Sequence, residues 1–352
     1  MDNIYKFLLL VPAPMIITWF LLDVIRKISI KFRIFAIPNE RSSHDKIVPA
    51  TGGVALCISW LLIILMNSLF NDNAVDQDMY YYALAGIIIS IVGFYDDLQE
   101  MPPYIKLFMQ IFVFFIISIS QDSLINSFHG LFGIYEIGFY ESIAFSLFVF
   151  IVIVNSINLV DGIDGLSASL SLFFLALTAY YYYLTSNQYL ILIISFISTL
   201  VVFLFFNYSK KYKIFLGDTG SLGLGLCIAT LSMGFLNTSH PSYGVFPLNS
   251  SLFVVLMLSY PLIDVIRVFL IRIYNGKSFM SPDRNHIHHK LIDIGLNHKS
   301  AVSLIIITQI IILLFNSFLI NKMNLHIQIV INAIIISMIL FGLYRIPNKL
   351  IS

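Results

Sequence analysis

Apolar runs of roughly membrane-crossing length alternate along this chain with short polar interruptions, and the polar residues gather in clusters with no period-two alternation. A helix needs about 20 apolar residues to cross ~30 Å of hydrocarbon. Runs of about that kind lie at residues 5–25, 53–70, 80–94, 106–120, 142–157, 167–185, 189–206, 221–237, 250–270, 301–320 and 326–344. They predict an all-α, polytopic integral membrane bundle of about eleven transmembrane helices. No Pro/Gly/Ser-rich linker and no fixed-period repeat divides the chain, so residues 1–352 read as a single transmembrane domain. The first run lacks a small-residue cleavage site, so it reads as a retained span and not as a signal peptide.

Composition strengthens this reading: 59% of residues are hydrophobic, 11% are charged and the mean hydropathy is +0.90. A formal net charge of +1 conceals an asymmetry in where the basic residues fall. With the N-terminus outside and the C-terminus cytoplasmic, the inner loops are 26–52, 95–106, 155–166, 207–220 and 271–300. These loops, their helix ends and the C-terminal tail then hold every Lys and Arg except Lys6 and Lys322, as the positive-inside rule requires. The outer loop at 121–141 has the composition of a small hairpin or a surface-lying segment. Cys57 and Cys227 both sit in apolar runs, which excludes a disulfide framework and a cysteine zinc site.

Candidate chemistry lies on the inner side. One apolar run closes in Asn155-Ser-Ile-Asn158-Leu-Val-Asp161-Gly-Ile-Asp164-Gly165, four polar side chains spaced by three. On a helix Asn155, Asn158 and Asp161 share a face, and the glycines free Asp164 to turn back toward it. Ionisable groups at a membrane boundary mark a functional site by default. Asp96 and Asp97 end another run, followed by Lys106 and Gln110; adjacent carboxylates there call for a divalent cation or a shared proton. Asp218 stands between Gly217 and Gly220 at the entry to a further span, where a plain helix cap is the competing explanation. The loop with Arg41 and His44 leads into Gly52-Gly53, an arrangement that suits an anion, although a basic juxtamembrane loop also serves as a topology signal. His286, His288 and His289 lie beside Arg284 and Lys290. A zinc cluster is one reading of them; binding or protonating phosphate oxygens fits their basic neighbours better. His44, His129, His240, His298 and His326 have no comparable company. Hard oxygen ligands beside basic groups are what metal-assisted phosphoryl transfer requires.

In order and spacing, these motifs resemble the polyprenyl-phosphate N-acetylhexosamine-1-phosphate transferases over about residues 38–291. The resemblance implies transfer of a sugar-1-phosphate, first of all N-acetylglucosamine-1-phosphate, from a UDP-N-acetyl sugar to undecaprenyl phosphate, with release of UMP. It implies magnesium, or manganese in its place, and a multi-pass protein of the bacterial inner membrane whose active site faces the cytoplasm. Its partners would be the two substrates and membrane lipid, with no nucleic acid; a homodimer is compatible. By position, Asp96, Asp97, Asp161 and Asp164 match catalytic residues, and Asp218 with Asp97 matches the metal site. Arg41, His44, Lys106, Asn155, Asn158, Arg284, His286, His288 and His289 match substrate-binding positions. The His-Ile-His-His spelling is similar to the enzymes that begin O-antigen, capsule or teichoic-acid chains, whereas the phospho-MurNAc-pentapeptide enzymes of peptidoglycan usually carry three consecutive histidines. Ala50 departs from the pattern at a variable position and leaves the donor sugar open. A secondary transporter is the rival class, and it predicts carboxylates near mid-membrane and two related halves.

Overall fold

The structure, a computed structural model, describes residues 11–36, 47–70, 77–120, 123–184, 189–237, 250–278, 284–319, 323 and 325–344. Its helices are α1 (Pro12–Phe32), α2 (Gly52–Phe70), α3 (Gln77–Leu98), α4 (Pro103–Ile117), α5 (Phe139–Leu159), α6 (Leu166–Leu184), α7 (Leu190–Tyr208), α8 (Gly217–Asn237), α9 (Ser250–Met257), α10 (Ser259–Tyr274), α11 (Ile287–Asp293), α12 (His298–Leu319) and α13 (Leu325–Tyr344). As far as they lie in the described residues, the predicted apolar runs fall on helices, the run at 250–270 on two of them. Among the described residues six helices are long and apolar enough to cross a membrane, or seven if α9 and α10 form one bent span. Large apolar side chains such as Ile91, Phe108, Phe148, Leu270 and Phe318 point outward and stay exposed, which suits lipid as the surrounding solvent.

Helix α8 is the axis of the bundle. It packs chiefly on α5 and α3, and also on α2 and α6. Its small residues explain the closeness, because helices in lipid associate by van der Waals contact where backbones can approach. A Cβ on Gly93 of α3 would come within 2.5 Å of the Thr219 Cα, and one on Gly225 within 2.8 Å of the Val154 Cα. The strand β1 (Phe35–Ala36) pairs antiparallel with β2 (Val48–Pro49). Phe215 N–H then donates to Pro49 O at 2.8 Å, while Gly52 and Gly53 donate to Phe215 O and Leu216 O at 2.9 and 2.8 Å. These bonds tie the chain entering α8 to the chain entering α2.

Two boundaries differ from the sequence expectation. The first helix runs on to Phe32, where Arg33 takes a left-handed φ of 58°. Pairing of Asp23 with Lys27 one turn on supports the helix through its polar end. The run at 250–270 is not one straight helix, since α9 and α10 meet at a 74° bend. Pro261 is the physical cause: it has no N–H for the carbonyl four residues back, Met257 O. Gln309 of α12 fills the gap, its Nε2 donating to Met257 O at 3.0 Å while its Oε1 accepts from Ser259. On the predicted outer loop, a bridge between Ser127 and Glu136 makes the small hairpin that its composition suggested.

Candidate active site

The site is assembled on the first turn of α8. Gly217 has a φ of 72°, and a Cβ there would meet both Asp97 oxygens at 2.7 Å. That close approach lets Asp97, at the end of α3, cap the helix. Its Oδ1 accepts from Asp218 N–H at 2.7 Å, and its Oδ2 from Thr219 N–H at 3.0 Å and Thr219 Oγ1 at 2.7 Å. A carboxylate at a helix N-terminus meets free N–H groups and a favourable dipole. The neighbouring Asp96 turns the other way, accepting from Met101 N–H at 2.6 Å and pairing with Lys106.

Lys106 joins the two sides, because its Nζ also lies 3.2 Å from Asp218 Oδ2. Asp218 Oδ1 accepts from Asn158 Nδ2 at 2.6 Å, and the same amide reaches Ser221 Oγ at 2.8 Å. The 60° step between helix positions three apart separates the two asparagines. Asn158 faces α8, whereas Asn155 faces α4 and exchanges hydrogen bonds with the buried Gln110 at 2.7 and 3.2 Å.

Beyond Leu159 the chain leaves the helix, as the glycines predicted, and Gly165 takes a φ of 75°. The Asp161 N–H donates to Asn158 O at 3.2 Å, but among the described residues its carboxylate has no hydrogen-bond or ion-pair partner. Burial first, then the like charges of Asp218, Asp97 and Asp164, push its carboxyl well above the usual range. Asp164 is held differently. Burial works to raise it, but hydrogen bonds and charge from His298 (Nδ1 2.9 Å from Oδ2) and Lys213 (2.6 Å) outweigh burial and lower its pKa. His298 therefore does have company, contrary to the sequence reading, and it lies 134 residues from its partner.

The histidine segment meets the aspartate turn at Gly162. A Cβ there would run into His288 Nε2 and lie 3.1 Å from His289 Nε2. His288 Nε2 is buried without a hydrogen-bond partner. Burial, then the adjacent His289, push the His288 pKa well below normal, so its ring is neutral. His286 and His288 stack at 5.4 Å between centroids. Under them lies Asp264, a fully buried residue of α10 that the sequence reading passed over. The structure thus brings together Asp96, Asp97, Lys106, Asn158, Asp161, Asp164, Asp218, His286, His288 and His289. Arg284 pairs with Asp293 at 3.2 Å, and Arg41 and His44 lie outside the described residues.

Two groups of side chains come close to the donor set of a divalent cation. Asp161 and Asp218 fit: one carboxylate lacks any partner and the two repel across the site, which is the arrangement a hard cation relieves. Ligand atoms of Asp264, His286 and His288 also lie within 4.8 Å of one another. There, Arg267 and the Ile287 N–H already occupy the carboxylate, so a metal would have to displace a cation.

Comparison with known proteins points the same way. Residues 79–236 match glycosyl transferase family 4. A Bacillus subtilis protein named "Probable undecaprenyl-phosphate N-acetylglucosaminyl 1-phosphate transferase" is 32% identical over 80% of this chain and 76% of its own. A Mycolicibacterium smegmatis decaprenyl-phosphate N-acetylglucosaminephosphotransferase is 31% identical over 82% and 76%. A Yersinia pestis undecaprenyl-phosphate alpha-N-acetylglucosaminyl 1-phosphate transferase is 28% identical over 81% and 76%. With 32% of the aligned residues identical across most of both chains and its motifs gathered in one place, the chain belongs to glycosyl transferase family 4, among the polyprenyl-phosphate N-acetylhexosamine-1-phosphate transferases.

Proposed function

We propose that this protein transfers N-acetylglucosamine-1-phosphate from UDP-N-acetylglucosamine to undecaprenyl phosphate, releasing UMP and leaving a lipid-linked diphosphate sugar. The observation that carries the reading is the meeting of Asp96, Asp97, Asp161 and Asp218 from three helix ends: Lys106 bridges Asp96 and Asp218, Asn158 holds Asp218, Asp97 caps the helix that carries it, and Asp161 faces the charges of Asp97 and Asp218. Carboxylates crowded beside one lysine suit a diphosphate that arrives with its own cation. The names of the relatives supply the sugar and the lipid.

Magnesium held by Asp161 and Asp218 would neutralise the diphosphate and polarise its oxygens, and manganese offers the same chemistry. Asp97 has both oxygens engaged by the α8 N-terminus, so its part is to fix the turn that carries Asp218. Asn158 orients the Asp218 carboxylate. Lys106 swings from its two carboxylates to a phosphate oxygen and frees Asp96 Oδ2 to orient or deprotonate the lipid phosphate. That phosphate's oxygen attacks the β-phosphorus of the UDP-sugar; a new P–O bond forms and the bond to UMP breaks. Neutral His288 beside Gly162, with His286 and His289, is suited to donate to phosphate oxygens. Arg41, His44 and Arg284 belong to the same reading as substrate contacts.

We further assign about eleven spans in one domain, an outside N-terminus, a cytoplasmic active site and an inner-membrane location; the distribution of Lys and Arg supports this. The carboxylates sit at or just beyond helix ends, as transfer at a membrane surface needs, whereas a transport relay calls for them at mid-helix.

The test is an assay of purified protein with undecaprenyl phosphate, magnesium and a panel of UDP-N-acetyl sugars. Labelled N-acetylglucosamine should enter the lipid fraction with one UMP released per lipid product. UMP without a lipid product, or preference for UDP-MurNAc-pentapeptide, would overturn the assignment.

A further inference from the structure

We infer that Asp264 is a positioning residue for the reaction: it fixes the ring of His286 and anchors the histidine segment against the Asp161–Asp164 turn. This inference rests on the proposed transferase reading for the reaction itself, and its geometry is independent of it.

Asp264 is fully buried on α10, and both of its oxygens are in use. Oδ2 lies 2.9 Å from His286 Nδ1. Oδ1 accepts from Arg267 Nη2 at 2.7 Å and Nε at 3.2 Å, and from Ile287 N–H at 3.2 Å. Arg267 also donates to the carbonyl of Asn285. One turn of α10 therefore grips three consecutive residues, 285 to 287, immediately before the point where His288 and His289 meet Gly162.

The pairing has a chemical consequence. A carboxylate that accepts from Nδ1–H fixes the tautomer, leaves Nε2 as the basic nitrogen and stabilises the protonated ring. His286 is then oriented by a residue that does not touch substrate. Arg267 keeps the buried carboxylate charged, since an unpaired charge there would be costly. The other groups facing the ring are His288, stacked on it, and His289, 6.5 Å away edge-on; Tyr260 approaches His288. None of these is an anion, so among the described residues Asp264 supplies the negative charge beside the ring.

Asp264→Asn keeps the shape and the acceptor for Ile287 but turns an amide N–H toward Nδ1, which imposes the wrong tautomer. Turnover should fall about 10²-fold or more, with the KM for the UDP-sugar changed less than about threefold. His286→Asn retains a donor near Nδ1 and removes Nε2, so its loss should be similar. The double variant should be no worse than either single variant, as expected of residues acting as a unit. Additive losses, a KM raised in proportion to the lost turnover, or full turnover in either variant would overturn the inference, as would zinc bound stoichiometrically to the purified wild type. If Asp264→Asn does not fold, full turnover in His286→Asn alone overturns it. A wild type inert toward every UDP-sugar would sink the transferase reading instead. The Asp264–His286 coupling is then read from melting temperatures, where the same non-additivity is expected and additive shifts count against it.

Discussion

Two clusters of polar side chains are buried among apolar helices, and they are built on opposite principles. Between α12 and α13, Asn316 and Asn332 exchange amide hydrogen bonds at 2.7 and 2.5 Å. Each amide also donates to a carbonyl of its own helix, and Gln328 donates to Leu319 O and Met323 O. The cluster is neutral and its donors are used. At the start of α8, Asp96 and Asp218 share Lys106, Asp97 caps the helix beside them, and Asp161 faces like charges with no side-chain partner among the described residues. The first cluster stabilises two helices. The second is internally unfavourable, and a protein keeps such an arrangement where a ligand is meant to resolve it.

If that contrast is right, substitutions in the two clusters diverge in kind. Asp218→Asn should lower turnover about 10³-fold or more while the protein still purifies as a folded species; retained activity at saturating magnesium would erase the distinction. Asp161→Asn should lower turnover about 10²-fold and at the same time raise the melting temperature, because a like-charge repulsion is removed. A lower melting temperature in that variant would show that Asp161 is a structural residue.

The same substitution has a pH signature. Asp161 binds its proton more tightly folded than unfolded, so its ionisation destabilises the protein as pH rises from about 4 through the raised folded value. Asp164 has the opposite sign, with stability present above about 4 and lost as pH falls through its lowered value. Melting curves against pH should therefore flatten on the alkaline side in Asp161→Asn and keep their acid-side loss.

Gly162→Ala tests the join between the aspartate turn and the histidines. Its Cβ would press on His288 Nε2, and turnover should fall about 10-fold or more through displacement of the histidine segment. Smallest is Asn316→Ala, which should cost about 1 kcal/mol of stability by leaving Asn332 unpaired and should leave turnover unchanged.

The sequence is legible wherever chemistry and neighbourhood coincide along the chain. Apolar runs announced the helices, and the carboxylates announced the site. What it conceals depends on partners far away. Asp264 reads as a lone acid inside an apolar run: Arg267 lies one turn on, but His286, 22 residues away, joins it only where the following loop returns to α10. His298 looked isolated for the same reason. Adjacency misled in the other direction at Asp96 and Asp97. Neighbouring side chains at a helix end diverge by about 100°, so one reaches Lys106 and the other caps α8. Pro261 was visible in the sequence, but the bend it causes is stable only because Gln309, 52 residues from Met257, takes up the orphaned carbonyl.

Magnesium binding measured by thermal shift tests the central claim most directly, since it needs neither substrate nor turnover. The wild type should gain several degrees at millimolar magnesium, while Asp161→Asn and Asp218→Asn, each compared with its own magnesium-free melting temperature, should gain little. An equal gain in all three proteins, or none in the wild type, would contradict the claim that these carboxylates are held together for a cation.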